Sequence, residues 1–313
     1  MRQRPCPVCD SCDAHVIMNF SPDLLAEVNR TYDLKTLKEV CEGIEDHITY
    51  SRCDRCGMVY CQNVWDDAIL ARVYEDTIDH TQSKAKTTTL EKRMYVVRIW
   101  LNILRVLRIN GTDIFEDFKL IDFGCGWGDF LDVADGYGVT AIGYDTDRRK
   151  TALAVERGHR IVSTLDELRS AGPFDVFVMN SVLEHLFDVS ELMNLAREIL
   201  KPRGLFVSTV MDYRRGFIRR NCRRLKNGLP ASTKNLNPLE HVNVYDYRSS
   251  LATLQKYGFE FFSTGHALNF VDMPGLRGKT GPLRTANRIE ALLSKIFTSR
   301  GVGITVYALN GRR

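Results

Sequence analysis

The chain has 313 residues, of which 44% are hydrophobic, and a formal net charge of +4 at pH 7. This length suits a main domain with an appendage, and so mild a charge does not by itself indicate nucleic-acid binding. No apolar run is long enough to span a bilayer, and the N-terminal MRQRPCPVCDSC lacks the apolar region of a secretory signal. We therefore expect a cytoplasmic protein whose cysteines stay reduced rather than forming a disulfide framework.

The cysteines are concentrated near the N-terminus, with seven of the nine in the first 61 residues. Two C-x2-C pairs stand out: CPVC contains Cys6 and Cys9, and CDRCG contains Cys53 and Cys56. A C-x2-C turn directs two thiolates at one point in space. Two such turns form a tetrahedral four-sulfur site that suits a structural Zn²⁺ and leaves no open position for catalysis. Unrelated buried cysteines are the plain alternative, but the paired spacing favours zinc.

One ligand of this site is ambiguous, because Cys9 and Cys12 also have the C-x2-C spacing. Cys12 could therefore replace Cys6. We favour Cys6 because its pair has the CPxC form that is common in zinc knuckles.

The 43 residues between the pairs are expected to contain helices at 21–29 and 32–40, the first of them capped by Ser21. Residues 1–65 are thus predicted to form a zinc-binding module with a helical insert. The remaining thiols of this region, Cys41 and Cys61, are expected to be ordinary buried cysteines.

Residues 66–112 are predicted to form a linker and a leading helix. In LEKRMYVVRIWLNILRVL, residues 90–107, apolar residues recur at intervals of three and four. This period is typical of a helix with one buried face, so we expect the helix to pack on the main domain.

Strand-like and helical stretches alternate from residue 113 onward. Strands are predicted at 118–123, 139–144, 159–162, 174–180, 205–210, 259–264 and 303–309. Helices are predicted at 129–137, 147–157, 189–200 and 249–256. Such alternation indicates crossover connections and a parallel sheet in an α/β fold.

A glycine-rich turn follows the first of these strands, in LIDFGCGWGDFLD, residues 120–132. In an open α/β sheet this is where a nucleotide-like ligand binds. The G-x-G-x-G spacing differs from the G-x-G-x-x-G of dinucleotide enzymes, and no Lys-Ser/Thr pair marks a P-loop. Asp122 precedes the turn and can bind an amine-bearing ligand, and Asp145 ends the second strand, where a carboxylate accepts hydrogen bonds from ribose hydroxyls. The inferred ligand is an adenosine that carries an amino acid.

The order DFGCGWGDFL, GYDTD, FDVFVMNSVLEHLFD and ILKPRGLFVST resembles the motif series of class I S-adenosylmethionine-dependent methyltransferases over residues 90–213. With the cysteine pairs in front and EHVNVYDYRSSLATLQKYGFE behind, the whole chain resembles a zinc-ribbon-bearing group of sugar C-methyltransferases and other small-molecule methyltransferases. The resemblance implies a Rossmann-like seven-stranded sheet, a cofactor core at 113–213 and a basic acceptor or cap segment with the closing strands at 214–313. Arg203 departs from the family, which usually has glycine in this KPRG position.

The resemblance also implies which residues bind the expected cofactor, S-adenosylmethionine. The methionine part is assigned to the first strand and its turn, at Asp122, Gly124, Cys125 and Gly126. The nucleoside is assigned to the end of the second strand, with Asp145 at the ribose and Thr146 near the adenine. Asn180 and Ser181, after the fourth strand, are expected to close the pocket.

A hydroxyl or carbon acceptor must lose a proton on methylation, so a base with a near-neutral pKa is expected. Glu184 and His185 follow the fourth strand, and His241 follows Glu240 in a later loop. One of these histidines is the candidate base, and Glu184, His185 and His241 are together the candidate catalytic residues. A histidine that only fixes its loop is the plain alternative, and it weighs more for His185 than for His241.

The acceptor is expected to be a small molecule, and the tract at 213–228, YRRGFIRRNCRRLKNG, indicates an anionic one. Arg215, Arg219 and Arg223 would share a helix face, although a solvated face explains the same charges. A sugar nucleotide or glycan is favoured. RNA is the alternative acceptor, and the low overall charge of the chain disfavours it. A cofactor-binding protein without turnover is the non-enzyme alternative.

Overall fold

The computed structural model describes residues 2–28, 34–42, 46–66, 68–69, 89–112, 117–210, 215–227, 237–261 and 304–311. The chain divides into two compact units that are discontinuous in sequence. The cysteine unit comprises Met1–Ala85, Ser181–Met193 and Val210–Tyr257. The sheet unit comprises Lys86–Asn180, Asn194–Thr209 and Gly258–Arg313.

The strands, in chain order, are β1 (Arg2–Gln3), β2 (Ala14–Phe20), β3 (Ile48–Cys53), β4 (Val59–Cys61), β5 (Asn63–Val64), β6 (Lys119–Phe123), β7 (Thr140–Tyr144), β8 (Arg160–Val162), β9 (Phe174–Asn180), β10 (Leu200–Val210), β11 (Asn243–Val244), β12 (Phe259–Phe261) and β13 (Ile304–Asn310). The α-helices are α1 (Pro22–Val28), α2 (Leu34–Cys41), α3 (Leu90–Ile109), α4 (Asp129–Gly136), α5 (Arg148–Glu156), α6 (Leu165–Ala171), α7 (Ser190–Ile199), α8 (Arg215–Lys226) and α9 (Tyr247–Lys256).

One seven-stranded sheet organises the sheet unit, in the order β12-β13-β10-β9-β6-β7-β8. The pairs β8–β7, β7–β6, β6–β9 and β9–β10 are parallel, and β12–β13 is antiparallel. Parallel neighbours need crossover connections, which α4, α5 and α6 supply between successive strands from β6 to β9. The predicted seven-stranded Rossmann-like sheet is confirmed. Helix α6 is an addition, because the sequence at 165–171 is too short for its period to stand out.

The core of the sheet unit forms where α3 packs on the strands. Its buried residues recur at helical spacing, from Val96 through Trp100 to Leu107, and cluster with the apolar residues of β6, β9 and β10. The helix begins at its N-cap Thr89, whose hydroxyl accepts the amide N–H of Lys92. The amphipathic leading helix predicted at 90–107 is therefore present, two residues longer.

Arg203 lies in an irregular stretch of β10, where the register with β9 shifts between Leu200 and Leu205. Its φ is +58°, in the left-handed region that favours glycine. This explains physically why glycine suits the position. The Arg203 guanidinium donates to Oδ1 of Asn110 at 2.9 Å, so the irregularity is tied to the end of α3.

The cysteine unit is built on a four-stranded sheet in the order β11-β4-β3-β2, whose neighbouring strands run antiparallel, and on the two-stranded pair β1–β5. Its core gathers buried apolar side chains from the first and third of its sequence segments, including Phe20, Tyr50, Trp65, Ile218 and Val242, and the partly buried Phe187 of the second segment packs against them. Phe20 and Tyr50 meet edge to face, with ring centroids 5.4 Å apart. Among the residues described, no helix combines the length and apolarity needed to cross a membrane.

Candidate functional site

The glycine turn between β6 and α4 is held by the neighbouring strand. The amide N–H groups of Gly124 and Cys125 both donate to the carbonyl oxygen of Tyr144, at 2.7 and 3.0 Å. Gly126 has a φ of +53°, which L side chains rarely adopt. A Cβ at Gly126 would meet no heavy atom within 4 Å, so the main chain here borders open space. This is the feature that the sequence predicted, a backbone that a ligand can approach closely.

Gly143 on β7 has a different role, because it is tightly enclosed. A Cβ there would lie 2.6–2.9 Å from side-chain atoms of Ile161, Cys125 and Leu131. Real Cβ atoms do not approach so closely, so the glycine lets the turn pack against the second strand. No sequence pattern predicts this role, because Gly143 has the appearance of an ordinary strand residue.

Asp145 lies at the end of β7 and binds the glycine turn directly. Its Oδ2 accepts the amide N–H of Gly126 at 2.8 Å, and its Oδ1 accepts the amide N–H of Asp147 at 2.8 Å. The sequence predicted a ribose ligand here and missed this positioning role. A carboxylate has about four lone-pair sites, so both oxygens keep acceptor capacity for hydroxyl groups. Asp147 in turn caps α5 by accepting the N–H of Arg149.

Asp122, two residues before the turn, is only 2% exposed. Burial raises the pKa of its carboxyl group to about 7, and the negative charge of Asp145 adds to the effect. A buried carboxyl group with a near-neutral pKa is favoured in its ionised form by a cationic partner. The side chain can therefore serve an ammonium-bearing ligand, in line with the predicted role of Asp122.

The other predicted cofactor residues of the sheet unit lie at strand ends or in turns. Cys125 is a buried thiol whose pKa is raised, chiefly by burial. Thr146 is exposed after β7. Asn180 ends β9, and its Oδ1 accepts the hydroxyl of Tyr95 from α3 at 3.0 Å. Tyr95 is a residue that the sequence reasoning missed, since it belongs to the helical pattern of α3.

Ser181 begins the next stretch of chain with a φ of +58°. Non-glycine residues in this region cost about 1–2 kcal/mol, and such strain is often found where a chain turns at a functional site. The backbone therefore bends sharply directly after Asn180, as expected for a residue that follows the fourth strand. Whether Asn180 and Ser181 contact cofactor stays a prediction.

The candidate catalytic residues all lie in the cysteine unit. Glu184 and His185 form a short 3₁₀ turn, Leu183–His185, and Glu184 is fully buried. His241 is 7% exposed, and its ring lies beside that of His185 with centroids 4.9 Å apart. The hydroxyl of Tyr50 donates to the carbonyl oxygen of His241 at 2.6 Å. The structure thus brings together two histidines that were predicted as alternative candidates for the general base.

The two cysteine pairs also come together. The Sγ atoms of Cys6, Cys9, Cys53 and Cys56 all lie within 4.8 Å of one another. Two separations that join the pairs crosswise are 3.4 Å from Cys6 to Cys56 and 3.5 Å from Cys9 to Cys53. Zinc–sulfur bonds of about 2.3 Å in a tetrahedron require sulfurs about 3.8 Å apart. Four thiols at this spacing match that requirement.

The backbone of the two pairs is nearly equivalent. The residue after each second cysteine donates its N–H to the carbonyl of the first, at 2.9 Å from Asp10 to Cys6 and 2.9 Å from Gly57 to Cys53. Both residues have positive φ, 57° and 77°. Cys12 is exposed and lies outside the four-cysteine cluster. The geometry therefore favours Cys6 over Cys12 as the fourth ligand.

Of the remaining predicted features, Cys61 is fully buried in the core of the cysteine unit. The side chain of Cys41 and those of Arg215 and Arg219 lie outside the described residues. Helix α8 covers most of the basic tract. It buries Ile218 and Cys222 and exposes its described basic side chains, which are Arg220, Arg223, Arg224 and Lys226.

The chain is similar in sequence to a known protein family and to several curated proteins. The family described as a methyltransferase domain matches residues 92–264. The ubiquinone biosynthesis O-methyltransferase of Caulobacter sp. strain K31 is 34% identical over 112 residues, 33% of this chain and 44% of that protein. The enzyme of the same name from Caulobacter vibrioides is 38% identical over 106 residues, 31% of this chain and 42% of that protein. The chain thus spans less than half the length of these curated relatives.

Among solved structures, the chain is similar to the structure of the plantazolicin methyltransferase BpumL in complex with SAH. It is 12% identical to this chain, with a TM-score of 0.49, and the match covers 78% of this chain and 94% of that one.

Proposed function

The chain belongs to the methyltransferase-domain family, which matches more than half of its length at residues 92–264, and we propose that it transfers the methyl group of S-adenosylmethionine to a small-molecule acceptor. The observation that carries the proposal is the open backbone at Gly126, bonded to the carboxylate of Asp145. The cofactor, when bound, supplies an electrophilic methyl group on its sulfonium. The protein must then hold the nucleoside, align the acceptor and exclude water.

Each predicted cofactor residue has a chemical task in this proposal. The carboxylate of Asp145 accepts hydrogen bonds from the ribose hydroxyls while it holds Gly126. Asp122 binds the ammonium of the methionine part in its ionised form. Gly124, Gly126 and Cys125 line the methionine part with main chain, Thr146 lies toward the adenine, and Asn180 and Ser181 close the pocket.

Cofactor binding is tested by titration calorimetry with S-adenosylmethionine and S-adenosylhomocysteine. Asp145→Asn removes the charge of the carboxylate and one acceptor oxygen, and we expect a loss of affinity of about 10- to 100-fold, the range for a hydrogen bond to a charged group. Asp166→Asn is the matched control, because the Asp166 side chain is 93% exposed. Equal affinities for Asp145→Asn and the unsubstituted protein would remove Asp145 from the ribose site. No binding to either compound would refute the proposed cofactor.

We propose a sugar nucleotide or a related glycan intermediate as the acceptor, with RNA as the alternative. The exposed basic residues of α8 suit an anionic acceptor. One of His185 and His241 takes the proton that the acceptor loses, and buried Glu184 lies next to His185 in the chain. The test incubates the protein with methyl-labelled cofactor and, in parallel, a sugar-nucleotide panel or total RNA. Label that enters RNA alone would overturn the small-molecule acceptor. The curated relatives are named O-methyltransferases, so a hydroxyl oxygen is the acceptor atom to examine first.

The four-cysteine cluster is proposed to bind a structural Zn²⁺ that holds the N-terminal module together, which we delimit at residues 1–65. Four thiolates satisfy zinc completely, so the ion would stabilise the fold and take no part in methyl transfer. Metal analysis of purified protein is expected to give one zinc per chain. Cys6→Ser should lose it, whereas Cys12→Ser should retain it. Loss of zinc in Cys12→Ser but not in Cys6→Ser would reverse the ligand assignment, and metal-free protein with reduced cysteines would refute the site.

A further inference from the structure

Arg4 joins three separate stretches of the cysteine unit through one guanidinium group. Its Nε donates to the carbonyl oxygen of Cys61 at 3.0 Å, and its Nη2 donates to that of Val242 at 2.8 Å. Its Nη1 donates to the carbonyl oxygen of Phe187. These acceptors are neutral carbonyls, so the contacts fix geometry rather than neutralise a charge. Phe187 lies two residues after His185, and Val242 lies directly after His241.

Asn243 extends this network to the other side of His185. Its side chain is fully buried. Its Nδ2 donates to the carbonyl oxygens of Leu183 and Leu186, at 2.8 and 2.7 Å, and its Oδ1 accepts a hydrogen bond from Nη2 of Arg4 at 2.8 Å. Because Arg4 has only donors, it fixes which way the Asn243 amide faces. The turn that carries Glu184 and His185 is therefore held on both flanks by Asn243, and Asn243 is held by Arg4.

The two histidine rings meet where these backbone contacts converge. Their centroids are 4.9 Å apart. Arg4 binds main-chain carbonyls within two residues of each histidine, and Tyr50 binds the carbonyl of His241 itself. The backbone beside both rings is therefore held by the same network. Their mutual position is thus the property that the network controls.

We propose that Arg4 is a positioning residue for the His185–His241 pair, so that the segment before the first cysteine pair takes part in the acceptor chemistry. This inference rests on the proposed function, in which one of these histidines takes the acceptor's proton. Arg4 acts through the backbone and through Asn243, and it need not touch acceptor or cofactor. It stands two residues before Cys6, so the segment that leads into the cysteine cluster also supports the backbone beside the histidine pair.

The test compares Arg4→Gln and Arg4→Lys with Arg248→Gln, which removes an exposed arginine of α9 in the same unit. Nitrogen-15 spectra of the histidine rings are recorded on the full-length zinc-loaded protein without cofactor or acceptor, and His185→Gln and His241→Gln identify the two residues. Arg4→Gln should shift the ring signals of His185 and His241. Arg4→Lys should shift them less, and Arg248→Gln should leave them in place. His159, in the sheet unit, should keep its signals in every variant.

The kinetic test uses an acceptor found by the labelling experiment. Misplacing a reacting group by about 1 Å can lower the rate about 100-fold. We therefore expect Arg4→Gln to lower kcat about 10- to 100-fold, with partial recovery in Arg4→Lys and with the Kd for cofactor unchanged within about twofold. Unshifted histidine signals in folded, zinc-containing Arg4→Gln would overturn the positioning role. So would an unchanged kcat.

A second variant covers the case in which Arg4→Gln does not fold. Tyr50→Phe removes only the hydroxyl bond to the carbonyl of His241, and it should shift the His241 signals with little effect on stability. If neither Tyr50→Phe nor Arg4→Lys moves a histidine signal, the inference fails. The spectra do not depend on methyl transfer. If the signals shift but the protein binds no cofactor, the positioning network stands. The proposed function is then refuted, and so is the part of Arg4 in catalysis.

Discussion

Replacing Asp122 by asparagine should make the ligand-free protein more stable at neutral and alkaline pH. The carboxyl group is 2% exposed, and burial together with the charge of Asp145 raises its pKa from 3.8 to about 7. The folded state therefore favours the protonated form. Asparagine has the same shape and no charge, so Asp122→Asn removes the cost of ionising a buried carboxyl group.

The size of the effect follows from the two pKa values. Below about pH 4 the carboxyl group is protonated in both the folded and the unfolded chain, and its contribution to stability is fully present. As the pH rises toward 7, the unfolded chain ionises first, and stability falls by about 1.4 kcal/mol per pH unit. Above pH 7 both states are ionised, and the total loss levels off at about 4 kcal/mol. Between pH 5 and pH 8 the loss is about 2–3 kcal/mol.

Urea unfolding of the ligand-free protein and of Asp122→Asn measures this loss directly. The free energy of unfolding of the variant should exceed that of the unsubstituted protein by a margin that grows from pH 5 to pH 8. Asp166→Asn, at an exposed position, should show a constant difference near zero. A margin that stays the same at every pH, or that shrinks as the pH rises, would refute the assignment of a near-neutral pKa to Asp122.

Three further outcomes are expected. The affinity for S-adenosylmethionine, measured by calorimetry, should rise between pH 5.5 and pH 7.5 because ionised Asp122 binds the ammonium group, and this rise should vanish in Asp122→Asn. Gly143→Ala should lower the free energy of unfolding by about 1–3 kcal/mol through overpacking. Gly136→Ala, where a Cβ meets nothing within 4 Å, should raise the free energy of unfolding or leave it unchanged. Equal effects of the two substitutions would contradict the packing argument. Tyr95→Phe should weaken cofactor binding about threefold to tenfold by releasing Asn180, a modest loss typical of one hydrogen bond, and an unchanged Kd would separate Tyr95 from the site.

The fold was predictable because local signals agree along residues 90–210. Apolar strands alternate with capped helices, and the glycine turn falls between the first strand and the first helix of the series. The sheet and the methyltransferase family were predicted correctly from these patterns. The strand bounds shifted by a few residues; β10, for example, begins at Leu200. Pairing across the irregular stretch at Arg203 lengthens that strand, and no local pattern announces such pairing.

The site was predictable only where the chemistry is local in sequence. The cysteine pairs and the carboxylates at strand ends are short motifs, so their residues could be named. Arg4, Asn243 and Tyr50 could not, because each acts on residues that are about 60 to nearly 240 positions away in the chain. Only folding brings such groups together. The pairing of His185 with His241 was out of reach for the same reason, and the two were weighed one against the other.

The cysteine unit is formed by three separate segments of sequence, and this limits how it can be transferred to another protein. A fragment ending near residue 66 would carry all four clustered thiols but would lack Ile218, Leu239, Val242 and Val244, which complete its interior. Its strand β4 would also be left without β11 along one edge. Such a fragment should bind metal but remain poorly ordered and prone to aggregation through its exposed apolar surface. Swapping metal-binding modules between relatives would therefore require exchanging the distant strand and helix together with the N-terminal segment.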